Sequence, residues 1–345
     1  METLRLLPDD PRLGIAGLHR LEALDGSGWF QPWRLPAAGL ATAVSEVLED
    51  RARHASGARF RFVTDASRIT MAITGADDSS PLDVVVDGDL LVRLPVVAGE
   101  QSLAVELPDG LRSLEVWLPQ FGANLLGPID VVQASVVAAS PPRTLRWATY
   151  GSSITQCRTA EGPSDTWPAR VARSLDWELT NLGFGGECHL DSVAARTIRD
   201  ADFEFISLCL GINIYGASSF SQRALHSAIC GFVETVRDGH PGVPMAIMSP
   251  IAAPNLESVP NRVGLTLSDV RRIVTHASET LKHLGAGPLT LIDGRRIFGH
   301  EDAGLLGDEL HPTAAGYRVM AERLGPVLAD AAGRSAANLP SGPAA

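Results

Sequence analysis

The sequence predicts an α/β domain built on a doubly wound, five-stranded parallel sheet, preceded by an antiparallel β-sandwich. Three observations lead there. Near residue 140 the pattern changes from short alternating runs split by turn residues to apolar runs separated by amphipathic stretches. At 345 residues the chain exceeds the size at which single cores stop growing, so two domains are expected. Finally, four short polar or glycine-rich segments each follow an apolar run of the C-terminal half. These read Gly151-Ser152-Ser153-Ile154-Thr155, Asn181-Leu182-Gly183-Phe184-Gly185-Gly186, Leu210-Gly211-Ile212-Asn213 and Asp308-Glu309-Leu310-His311-Pro312. On one parallel sheet all four would gather at its carboxyl edge, where open α/β folds place their ligands.

The elements follow in order. The sandwich is assigned to residues 1–140. Its clearest runs are Arg59 to Val63, Ile69 to Ile73, Leu82 to Val86 and Ser113 to Leu118, and Val86-Asp87-Gly88-Asp89-Leu90 reads as a hairpin because Asp-Gly supplies the positive φ of a tight turn. Residues 138–143, with consecutive prolines, read as the linker. The second domain is assigned to 144–332, with strands at 145–150, 177–181, 204–210, 244–248 and 289–292. Helices are expected near 164–174, 190–200, 220–237 and 268–283, and a last one after Pro312. In that last helix Thr313 can cap, and Tyr317, Met320, Ala321, Leu324 and Leu328 share one face. The small, polar tail 333–345 is expected to be disordered.

Composition removes several function classes. The net charge of −11, from 29 basic and 40 acidic residues, provides no basic stripe for nucleic acid. No apolar run approaches a membrane span, and the first residues, with Asp9 and Asp10, lack a secretory layout. A cytoplasmic location without membrane or nucleic-acid partners is therefore expected. The four cysteines, Cys157, Cys188, Cys209 and Cys230, show no paired metal spacing and are expected as thiols. No metal or other cofactor is implied.

The four segments supply the parts of an acyl-transfer site. Ser153 follows a glycine that lets the chain turn tightly while exposing the hydroxyl, but a serine attacks only when a base takes its proton. His311 is that candidate base, and Asp308, three residues earlier, can orient its ring. Read in isolation, the same Asp-x-x-His is a capped turn with a surface histidine. A negative tetrahedral oxygen needs fixed donors, for which the Ser153 and Gly186 amides and the Asn213 side chain are candidates. Gly183 to Gly186 does not read as a dinucleotide loop, because Cys188 stands where a third glycine belongs. Ser152, Cys157, His189 and Trp117 are candidates for substrate contact. As a lone histidine near a helix start, His189 reads more readily as structural.

Together the four segments resemble the SGNH hydrolase superfamily, the GDSL-like esterases and lipases, over about residues 144 to 330. Gly151 to Thr155 looks like the first block of that family, Gly186 falls on the glycine of the second, Asn213 on the asparagine of the third, and Asp308 with His311 on the fifth. The resemblance implies a flavodoxin-like sheet, Ser153 as nucleophile, His311 as base, Asp308 as its orienter, and Gly186 with Asn213 in the oxyanion hole. Ser152 departs from the pattern, since the family usually has aspartate there. A preceding sandwich, jelly-roll-like, resembles a subset that includes carbohydrate deacetylases and natural-product acyltransferases, whose front domain looks like a carbohydrate-binding module. Trp29, Phe30, Trp33 and Trp117 would then be a sugar-stacking wall or plain core, and Phe121 to Asn124 a loop over the site. The implied reaction is cleavage of a small acyl ester through an acyl-enzyme. Two readings stand beside it: transfer to a sugar or natural-product hydroxyl, and carbohydrate binding with an inactive second domain.

Overall fold

The structure, a computed structural model, describes residues 2–334. Of the segment expected to be disordered, residues 335–345 lie outside the described residues.

The N-terminal domain is β-rich. One antiparallel sheet runs in the order Arg20–Ala23, Phe30–Trp33, Leu126–Val132, Arg68–Gly75, Gly99–Glu106, with Thr3–Leu6 also paired to Leu126–Val132. The other runs Val137–Ala139, Arg59–Thr64, Arg112–Trp117, Leu82–Val86, Asp89–Leu94. Alternation drives the packing. Phe60, Phe62, Leu114 and Val116 of the second sheet are buried against Ile69, Met71, Ile73 and Val131 of the first. The Asp-Gly hairpin forms as expected, with Asp87 and Gly88 both at positive φ and Val86 facing Asp89. The linker starts later than the prolines suggested, because Ala138 and Ala139 pair with Val63 and Phe62.

The C-terminal domain is a five-stranded parallel sheet flanked by helices. Its strands are Leu145–Gly151, Trp177–Gly183, Phe205–Cys209, Met245–Met248 and Leu289–Ile292, arranged second-first-third-fourth-fifth. This is the flavodoxin-like order, whose switch point lies between the first and third strands. The helices are Trp167–Leu175, Ser192–Asp200, Gln222–Gly239, Leu267–His283 and Ala314–Ala331. Thr313 caps the last one through Gly316 N, and the predicted face of Tyr317, Met320, Leu324 and Leu328 is buried.

The second strand lies at the edge of the parallel sheet, and an uncovered edge presents unpaired carbonyls. Here the front domain covers it. Arg59 donates to Leu179 O at 3.2 Å, and Arg34 donates to Asn181 O at 2.9 Å and Gly183 O at 2.7 Å. Residues 179, 181 and 183 recur with the strand period of two, so the two guanidiniums follow one row of carbonyls. Arg59 and Arg61 also pair with Glu178 on the same strand.

Candidate active site

The switch point gathers the candidate residues. Ser153 opens a four-residue helix, Ser153–Gln156, directly after the first strand, and Ser152 caps it by accepting from Ile154 N at 3.2 Å. The preceding turn needs glycine. A Cβ on Gly151 would lie 2.2 Å from Thr155 Oγ1. Ser152 thus fills with a hydroxyl the capping position where an aspartate was expected, which any short acceptor does well.

Ser153 Oγ lies 2.8 Å from His311 Nε2, and His311 Nδ1 lies 2.7 Å from Asp308 Oδ2. With the carboxylate accepting from Nδ1–H, Nε2 is left to accept the serine proton. Asp308 Oδ1 also accepts from the backbone of His311 at 2.7 Å and of Leu310 at 3.3 Å, around Glu309 at φ 67°. The capped-turn and orienting readings therefore describe one arrangement. Burial works to raise the Asp308 carboxyl, but the His311 backbone N–H and ring outweigh it and hold the group below its ordinary value.

The glycine segment after the second strand faces this relay. Gly186 has φ 82°, a conformation that costs a residue with a Cβ, and its side-chain direction is open. The loop's other polar groups are occupied. Gly183 N donates to Asn181 Oδ1, Phe184 N to Gly151 O, and Gly185 N to Gln156 Oε1 at 2.8 Å. Gly183 O accepts from Arg34, Gly185 O from Arg51 at 3.4 Å and Gly186 O from His189 Nε2 at 2.9 Å. Asn213, in the first turn of helix Ile212–Ala217, accepts from Cys188 N through Oδ1 at 3.1 Å, which turns its Nδ2 the other way. Among the described residues, the N–H groups of Ser153 and Gly186 and the Asn213 Nδ2 have no protein acceptor. Gly186 is exposed and Ser153 and Asn213 are partly buried, so these donors are open to solvent and are the candidates to meet a negative oxygen.

Other expected contacts fall elsewhere. Trp117 is 0% exposed, stacked under Arg59 with its indole N–H on Glu115, so it is core rather than a substrate wall. Cys157 is buried with its thiol on Ile154 O, and burial pushes its pKa up, so it offers no surface to substrate. Phe30 and Trp33 are core as well, and Trp29 is half-buried. Phe121 packs edge-on to His54 behind the glycine loop instead of reaching over the cleft. His189 is a brace: its Nε2–H on Gly186 O leaves Nδ1 to accept from Ser219 Oγ at 2.9 Å.

Beside Ser153 a narrow apolar pocket of about 20 Å³ is lined by Ser152, Ile154, Ile212, Met248, Pro250 and Leu310. A roomier cavity of about 480 Å³ lies at the domain seam among Glu115, Arg143, Arg170 and Arg173. None of the acyl-transfer groups lines it, so size does not mark the site here. Gln156, Asn181 and Arg34, which hold the glycine loop, carry no sequence signal of their own. Asn181 does open the second segment, and Gln156 follows the first by one residue.

Residues 145–329 match the GDSL-like Lipase/Acylhydrolase family. Among solved structures, the chain is similar to the salicylyl-acyltransferase SsfX3 from a tetracycline biosynthetic pathway, at 27% identity and TM-score 0.87, covering 98% of this chain and 99% of that one. It is also similar in fold to a Bacteroides ovatus protein assigned as a GDSL-like lipase, at 18% identity and TM-score 0.78 over 96% of this chain and 98% of that one. A Clostridium thermocellum family two carbohydrate esterase in complex with cellohexaose shares the fold at 16% identity and TM-score 0.67, over 93% of this chain and 100% of that one. No curated protein matches the sequence. With more than half of its length matched, the chain belongs to the GDSL-like lipase/acylhydrolase family and is an enzyme of the hydrolase or acyltransferase kind.

Proposed function

We propose that the protein is a serine esterase that cleaves a small acyl ester through an acyl-enzyme on Ser153. The observation that carries this reading is the Ser153–His311–Asp308 relay set against three free donors. Ser153 Oγ attacks the ester carbonyl as its proton passes to His311 Nε2, and Asp308 stabilises the imidazolium that forms. The carbonyl oxygen becomes an oxyanion that accepts from Ser153 N–H, Gly186 N–H and Asn213 Nδ2. When the intermediate collapses, the C–O bond to the alcohol breaks and His311 returns the proton to the leaving oxygen. Water, deprotonated by His311, then releases the acid by the same steps. The narrow apolar pocket lined by Ser152, Ile154 and Leu310, chain neighbours of Ser153 and His311, is the seat we assign to a small acyl group.

A fluorophosphonate probe is expected to label Ser153, and Ser153→Ala to abolish labelling and lower p-nitrophenyl acetate turnover by about 10⁴-fold or more. Labelling that survives the substitution overturns the assignment.

A second reading, transfer of the acyl group to a sugar or natural-product hydroxyl, is favoured by one observation. Likeness to the salicylyl-acyltransferase extends over both domains. The chemistry differs only in which oxygen reaches the acyl-enzyme and how well water is kept out. Partition of one acyl donor between free acid and acylated acceptor, across a panel of acceptors, decides between them.

A further inference from the structure

We infer that Gln156 is a positioning residue through which the N-terminal domain holds the Gly185-Gly186 loop in register with Ser153. The inference rests on the acyl-transfer reading above and assigns a working part in it to the front domain. Gln156 is fully buried at the end of the turn that carries Ser153. Its Oε1 accepts from Gly185 N at 2.8 Å, while its Nε2 donates to His54 Nδ1 at 2.9 Å and to Gln120 O at 3.1 Å. The orientation of the amide is dictated by its neighbours, because Gly185 N–H can only donate and Gln120 O can only accept.

His54 is suited to be the acceptor. Burial first, and then the charges of Arg34, Arg51 and Arg158, push its pKa down to about 3, so the ring is neutral. Its Nε2–H faces Asp50 Oδ2 at 3.3 Å, which leaves the Nδ1 lone pair for Gln156. Arg34 fastens the same ring of contacts from behind. Buried and, among the described residues, without a carboxylate partner, it donates to His54 O and Arg51 O at 2.6 Å each and to Asn181 O and Gly183 O at the foot of the loop. His54 and Gln120 belong to the front domain, Gln156 to the Ser153 turn, and Gly185 to the loop that presents Gly186 N–H. One side-chain amide joins all three, so a shift at the domain seam moves an oxyanion donor.

A buried glutamine that merely fills space would affect how much protein folds and not how each folded site works. The test therefore measures kcat per site labelled by the fluorophosphonate, with p-nitrophenyl acetate as substrate and an aryl trifluoromethyl ketone as a tetrahedral-adduct inhibitor. Gln156→Met, close in volume but without the amide, is expected to lower kcat about 10- to 100-fold, short of the loss of a whole donor. KM stays within about twofold, and the inhibitor Ki rises by the factor by which kcat/KM falls. His54→Phe is expected to reproduce part of the loss, and His54→Asn, which keeps an acceptor near the Nδ1 position, to recover most of it. An unchanged kcat per labelled site and unchanged Ki in Gln156→Met overturns the inference. So does an equal loss in His54→Phe and His54→Asn. Turnover that survives Ser153→Ala instead overturns the acyl-enzyme reading itself, so the two failures are told apart.

Discussion

The two halves of the site are held by different means. Asp308 and His311 meet within four residues of chain on an exposed turn, and the Asp308 side chain is 62% exposed. The glycine loop opposite is held by contacts that reach as far as 149 positions along the chain, from Arg34 to Gly183. One half is a local device that brings its own geometry wherever the turn forms. The other exists only after two domains have docked. The contrast teaches that the proton relay and the oxyanion donors can fail separately, one without loss of stability and the other through it.

Asp308→Asn tests the local half. It is expected to lower kcat by about 10³- to 10⁴-fold through the wrong histidine tautomer, while the melting temperature stays nearly constant. Steady-state hydrolysis and a thermal melt together check this. A large drop in melting temperature would erase the contrast. Arg34→Met tests the tertiary half by taking a buried donor away from four carbonyls, of which Arg51 O keeps the His54 N–H. Chemical denaturation is expected to show a loss of about 3–5 kcal/mol, among the largest for a single substitution.

A pH series sharpens the same point. His54 is held near 3 in the folded protein against an ordinary 6.5, so between those values the unfolded chain binds the extra proton. Stability therefore falls as pH drops below about 6.5, by roughly 1 kcal/mol per pH unit, and is unaffected above it. Melts at pH 7, 6, 5 and 4 should slope downward in the wild type and flatten in His54→Asn. The smallest effect is expected at His189, whose brace on Gly186 O lies at the outer, wetter side of the loop. His189→Ala is expected to lower kcat about 3- to 10-fold with little change in stability, read from initial rates.

Much of the C-terminal domain was legible because its strands are buried on both faces and so appear as apolar runs. The expected bounds fall within two residues of those observed. The front domain was less legible. Phe30–Trp33 and Leu126–Val132 carry prolines at 32 and 128, which disguise strands in a sequence. Gly99–Glu106, at the end of its sheet, exposes Glu100, Ser102, Ala104 and Glu106 and fully buries only Val105, so few apolar residues mark it. Within the site, the residues brought together are those whose chemistry is written in short segments. Those that hold them were not visible, because nothing near Arg34 or His54 in the sequence points to a loop more than a hundred residues away. Trp117 misled for the opposite reason: an aromatic looks the same in sequence whether its face meets a sugar or the guanidinium of Arg59.

Arg34 grips only main-chain oxygens of the edge strand, at 181 and 183, and Arg59 adds that of 179 to its pair with the Glu178 side chain. A seam of that kind recognises the path of a backbone and is indifferent to most of the letters written on it. Side chains on the edge strand other than Glu178 can drift while these contacts survive, provided the two guanidiniums remain. For protein engineers a graft of the front domain has to carry the spacing of these two cations together with the apolar contacts of Trp33, Leu35, Leu48 and Trp117 with the second domain's core. A chimera that keeps those apolar contacts but loses Arg34 and Arg59 should dock less tightly than one that keeps both.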